Sequence, residues 1–342
     1  MISLKKVAAF ALTAGCLVLA GATVDAHAAR TRTVTDLTGK KVRIPTHVKR
    51  VADLWHANNQ VALLLGGQQK LVATTPLIKH QPWFKRVDPG ITKVVAPFAG
   101  QEIQVETLIK THPDVVIAAD PAQVKVARQA KLPTVNASYQ DFAGLKKSVN
   151  LTAAVLGGSA PAVAKQYTKL LNHNINLVQK NLTGVKSRPT VLHIVSATDL
   201  TKVDGTKTIV NEWIRLAGGK NAVTKEGNQI TVTSEEIVKA NPAVIIVGQA
   251  TTSQARAVVR KDATLRHLPA VKHNRVYGNP TGTFPWDRYS AEEALQVLWA
   301  AKLLHSQAMK DVNLVQETKH FYKTFYHYNL TTKQAQQILA GK

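Results

Sequence analysis

A single cysteine, Cys16, stands in 342 residues. That excludes a small secreted scaffold in which disulfides replace a core. Acidic residues are scarce, 21 Asp and Glu against 44 Lys and Arg, for a formal charge of +23. Such a balance asks for an anionic partner: a polymer, a surface or a ligand. Catalytic signatures are lacking as well. There is no Gly-x-Ser-x-Gly, no phosphate-binding Walker loop and no paired-carboxylate motif, so no enzyme class is indicated. The 12 histidines are scattered, with no His-x-His or His-x-x-x-His near a strand end, and a lone His56 cannot hold a bare ion. No metal site is read. Lys and Arg are spread rather than clustered, which argues against nucleic acid. What is present is a chain 45% hydrophobic and 19% charged, the composition of a folded protein with a sizeable core.

Residues 1–28 read as an export leader. Lys5 and Lys6 precede an apolar run from Val7 to Ala22, and Ala26-His27-Ala28 forms a small-x-small cleavage site. Cutting there removes Lys5, Lys6 and Asp25, leaving +22 and no cysteine on the exported chain. A lipid anchor at Cys16 is the lesser reading: Gly15 precedes it as in a lipidation box, but Thr13 occupies a position where an aliphatic residue is usual. The high charge suggests that the protein is held against an anionic cell envelope.

From Arg50 strands and helices alternate, the pattern of an α/β domain with a parallel sheet. Strands are read at Val51 to Leu54, Lys70 to Thr74, Lys93 to Ala96, Asp114 to Ala119 and Thr134 to Val135, with helices at Asn59 to Leu65, Gln104 to Thr111 and Ala122 to Ala130. Pro161 to Leu182 contains no internal Gly or Pro and repeats apolar residues at helical spacing. It predicts one long helix, ~33 Å at 1.5 Å per residue. Strand–helix alternation then restarts at Thr190. A helix–Pro–strand unit occurs twice, once from Gln104 through Pro113 and once from Thr233 through Pro242, as two similar lobes would give.

In this order, the opening segment Thr33 to Pro45, Glu106 with Pro113-Asp114, Leu216-Ala217-Gly218-Gly219-Lys220-Asn221, Thr283-Phe284-Pro285-Trp286-Asp287-Arg288 and Phe321 to Tyr326 resemble the substrate-binding proteins of ABC importers for ferric siderophores, haem and corrinoids. The resemblance covers nearly all of Arg32 to Leu339. It implies an α/β fold of two Rossmann-like lobes with parallel sheets joined by a single long helix: leader 1–28, first lobe 29–158, connecting helix 159–184, second lobe 185–342. It implies a monomeric receptor working with a membrane permease and its ATPase. It needs no cofactor of its own. Its ligand is an iron complex, first a ferric siderophore, with haem or cobalamin as alternatives. Rivals from other classes are a basic surface adhesin on the same scaffold and an envelope hydrolase.

Open parallel sheets bind ligands beyond the carboxyl ends of their strands. That rule selects Trp55, His56 and Asn58 after the first strand, then Pro76, Phe98, Gly100, Asp120 and Tyr139, and Ser196 and Gln249 in the second lobe. Phe284, Trp286 and Arg288 lie in a Gly/Pro-bounded loop. Aromatic faces and a guanidinium suit an anionic chelate, and His56 or Tyr139 could serve as an axial ligand to haem. The resemblance implies that one acid per lobe docks on the permease: Glu106 and Glu235, with Glu236 as the competitor of the latter.

Overall fold

The computed structural model describes residues 30–342; the leader and Cys16 lie outside them. The first lobe holds a four-stranded, wholly parallel sheet in the order Leu71–Ala73, Val51–Asp53, Val115–Ala118, Thr134–Asn136. Val115–Ala118 is a central strand and is buried along its whole length, which is why its sequence is a continuous apolar run. An antiparallel pair, Thr31–Thr35 with Lys41–Pro45, precedes the sheet.

The second lobe's six-stranded sheet is mixed. Val244–Val247 lies between Thr190–Ser196 and Val276–Gly278, parallel to both. Asp199–Val203 turns straight back from Thr190–Ser196 and pairs antiparallel. An entirely parallel second sheet is therefore not what forms, because Ser196 to Asp199 makes a tight reversal in place of a crossover.

The long helix is Ala160–Asn181, 22 residues. It buries Ala164, Tyr167, Leu171 and Val178, and it packs on the helix Phe142–Leu156 of the first lobe and on Glu293–Leu304 of the second. Tyr167 donates its hydroxyl to Ala291 O at 2.8 Å and Asn174 its amide to Ala294 O at 2.7 Å. One continuous apolar cluster runs through the strut into both lobes. The last residues cross back: Trp83 Nε1 donates to Lys342 O at 2.7 Å. A strut packed into both cores resists large relative motion.

Two local readings change. Lys93 to Ala96 is no strand; Pro89–Lys93 forms a 3₁₀ turn and only Val95 bridges to Ala73, because prolines at 89 and 97 bracket the segment. Phe142–Leu156 is an unassigned helix, opened by Asp141 accepting from Gly144 N at 2.6 Å and ended by Gly157 at φ +67°.

Candidate functional site

A cleft of about 840 Å³ opens between the lobes at the carboxyl ends of the first lobe's strands. Trp55 and His56 follow Val51–Asp53, Pro76 follows Leu71–Ala73, Asp120 follows Val115–Ala118, and Tyr139 follows Thr134–Asn136. Phe98 and Gly100 come from a short hairpin. The second lobe supplies Asn228, Gln229, Arg288 and Tyr289. Of the thirteen residues selected from sequence as ligand contacts, the cleft thus gathers Trp55, His56, Pro76, Phe98, Gly100, Asp120, Tyr139 and Arg288. Asp120 also serves the fold, because its carboxylate caps the helix Pro121–Gln129, accepting from Ala122 N at 2.8 Å and Gln123 N at 3.0 Å.

Five do not reach the cleft lining. Asn58 is fully buried. It donates to Asp53 Oδ2 at 2.8 Å and accepts from Thr152 Oγ1 at 2.8 Å, so its polar groups tie strand to helix. Phe284 and Trp286 are buried in the core. The Gly/Pro-bounded loop that carries them turns back on itself, with Thr281 bridging to Pro285. The two rings go inward, Phe284 lying 5.3 Å beneath the His56 ring, while Arg288 meets the cleft. Ser196 is held in the strand reversal, its hydroxyl 2.7 Å from that of Thr198. Gln249 is exposed at φ +51° on the second lobe.

Tyr289, which the sequence reading passed over, closes the cleft across the lobes. Its ring lies 6.0 Å from Trp55 and 5.5 Å from Tyr139, both edge-on or tilted, and its hydroxyl donates to Gln140 Oε1 at 2.7 Å. It sits at φ +53°, a conformation that costs a bulky residue about 1 kcal/mol or more. These contacts hold it there.

Beneath Arg288 lies a buried ionic network. His193, in the middle of Thr190–Ser196, places Nδ1 2.8 Å from Asp204 Oδ2 and Nε2 2.8 Å from Asp287 Oδ2. Arg288 Nη2 donates to the same Asp204 oxygen at 3.1 Å. Asp204 Oδ1 accepts from Gln229 N at 2.9 Å. Burial works against charge on His193, yet its hydrogen bonds to both carboxylates, and their charges, outweigh it and raise its pKa. Asp204 is lowered despite its own burial, by its bonds to His193 and the Arg288 charge. Gly248 makes room for this cluster: a Cβ there would stand 2.6 Å from Asp287 Oδ2. A histidine inside an apolar strand run was the one sequence signal that could have found the network.

His56 behaves oppositely. Burial, with Arg288 nearby, lowers its pKa to about 4, so at neutral pH it is a neutral imidazole able to accept a hydrogen bond or coordinate a metal. Among the described residues no group of three or more His, Cys, Asp or Glu could hold a metal ion.

The family model described as periplasmic binding protein matches residues 51–281. The chain belongs to the periplasmic binding protein family. This family member is a substrate-binding protein of an ABC importer. It is similar to the molybdate-binding protein MolA of Haemophilus influenzae, 26% identical over 326 residues, 86% of this chain and 91% of the relative. It is also similar to the ABC transporter substrate-binding lipoprotein YvrC of Bacillus subtilis, whose function is uncharacterized, at 25% identity over 256 residues, 72% of this chain and 77% of the relative. A solved periplasmic solute binding protein from Veillonella parvula superposes with a TM-score of 0.78 at 27% identity, covering 91% of this chain and 97% of that one. Open parallel sheets bind ligands beyond the carboxyl ends of their strands, which is where the present cleft opens. Among the described residues no helix is long and apolar enough to cross a membrane.

Proposed function

We propose that this protein is the exported receptor for an anionic metal chelate, a ferric siderophore first, which it delivers to a membrane permease. The observation that carries the reading is the composition of the cleft: ring faces of Trp55, Tyr139, Phe98 and Tyr289 with a single guanidinium, Arg288, in about 840 Å³. Rings take up the apolar face of a chelate, and the guanidinium pairs with its oxyanions. That volume lies in the range that holds drug-sized ligands and is far larger than a bare ion needs. The neutral His56 offers a donor to an open coordination position, a feature haem also uses. MolA, a relative, is named for molybdate, and Arg288 suits an oxyanion too. The cleft size favours the larger guest.

On the permease side, Glu106 and Glu235 are exposed near helix starts, one per lobe. Glu236 is engaged: it completes a capping box with Thr233 and pairs with Lys225. Glu235 is therefore the acid of the second lobe offered for docking. The export leader and the envelope contact by charge are part of the same reading.

A thermal-shift screen with a ferric tris-catecholate, haemin, cyanocobalamin and molybdate tests it. A ligand at 100-fold over Kd adds about 2.7 kcal/mol of stability. The ferric catecholate should give the largest shift. Molybdate alone giving a shift would replace the chelate by an oxyanion, and no shift with any of them would favour an adhesin.

A further inference from the structure

We propose that His193 is a positioning residue for Arg288: bonded on both ring nitrogens to Asp204 and Asp287, it neutralises their charge and leaves the guanidinium turned toward an anionic ligand. The inference rests on the functional reading above only for the identity of that ligand.

The argument starts from donor count. A neutral imidazole has one N–H, and its other nitrogen accepts. Here each ring nitrogen lies 2.8 Å from a carboxylate oxygen. With both carboxyls ionised, an accepting nitrogen would face oxygen lone pairs at that distance, so both nitrogens donate and the ring is an imidazolium. The raised pKa of His193 agrees.

Charge balance follows. The network then contains two cations, His193 and Arg288, and two anions, Asp204 and Asp287. Glu293 also faces Asp287, but burial first and the Asp287 charge second raise its pKa well above the ordinary value, so it stays protonated and adds nothing. Tyr289, another titratable neighbour of the network, is pushed up to about 12 and is neutral, and His56, lowered to about 4 by burial and by Arg288, is neutral as well. With the imidazolium present the wall carries no net charge, and Arg288 is not consumed in offsetting two carboxylates. Without it the wall is net negative, and an anion approaching the cleft is repelled. Asp204 also receives Gln229 N, so the same carboxylate sets the second-lobe loop that lines the cleft.

The test has a ligand-free arm and a binding arm. In the wild type, ¹⁵N NMR of the histidine side chains at pH 7 should show His193 protonated on both nitrogens. A singly protonated His193 overturns the proposal whatever the protein binds. In calorimetric titration with a ferric tris-catecholate, His193→Gln should weaken binding on the order of tenfold. The double variant His193→Gln/Asp287→Asn, which removes one charge of each sign, should recover most of the loss. A merely structural role predicts the reverse, since the double variant breaks more native hydrogen bonds. A loss that the second substitution deepens overturns the proposal. If the wild type ignores the ferric complex altogether, the siderophore reading fails, while the NMR result still decides the role of His193.

Discussion

On the first-lobe side of the cleft, Trp55 and Tyr139 present rings at strand ends and Phe98 one from a short hairpin, and no lining residue but Asp120 carries a formal negative charge. On the second-lobe side a single cation, Arg288, stands on a buried set of opposed charges. One wall supplies area and the other supplies direction. Apolar contact is tolerant of geometry, so its residues can sit on separate short loops. A buried ionic set is tolerant of nothing: removing one member strands another in a low dielectric. The second wall is therefore more strongly built than the first, and substitutions should affect the two walls differently.

The largest expected effect lies behind the walls. Trp286→Ala empties a fully buried site and should cost about 3–5 kcal/mol of stability. Binding per folded molecule should change little, as a denaturant melt paired with active-fraction titration would show. A selective loss of affinity with unchanged stability would return Trp286 to the cleft. Next, Arg288→Ala should weaken an anionic chelate at least about thirtyfold. It should also lower the melting temperature, because Asp204 and Asp287 lose a partner. Trp55→Leu should cost only several-fold in affinity, the worth of one aromatic contact, with stability near wild type. Equal affinity losses from Arg288→Ala and Trp55→Leu would erase the distinction between the walls.

Smaller still is the pH response of stability. Burial raises Asp53 to about 8 and Glu292 to about 7. Such carboxyls hold their protons more tightly folded than unfolded. Their contribution is complete below about pH 4 and is lost as pH rises through 7 and 8. Melting temperature should fall by several degrees from pH 5 to 8.5, and Glu292→Gln should reduce that fall; a flat profile would contradict the assignment. The smallest effect separates two neighbours. Glu236→Ala should lower the melting temperature slightly through its helix cap and spare uptake, and Glu235→Ala should do the opposite in a transport assay.

The first wall was legible in the sequence because its residues follow buried strand runs, and a strand end is a local signal. The strut was legible because Ala160–Asn181 has no Gly or Pro beyond Pro161 in its first turn and keeps its apolar spacing. The second wall was not, for physical reasons. Arg288 was found, but its neighbours at 284 and 286 were read with it, since a Gly/Pro-bounded loop carries no periodicity to show that the chain folds back at Thr281 and Pro285. His193, Asp204 and Asp287 are separated by up to 94 residues and meet only in the fold. The helix Phe142–Leu156 was missed although Phe142, Leu145, Val149 and Leu156 keep helical spacing behind Asp141; that signal was present and unread.

The most direct test of the account is an anomalous-scattering map at the iron edge from crystals grown with the ferric tris-catecholate. The account predicts one iron between the Trp55 and Tyr139 rings and the Arg288 guanidinium. Iron on the outer surface, or a cleft that stays empty at saturating complex, would contradict it.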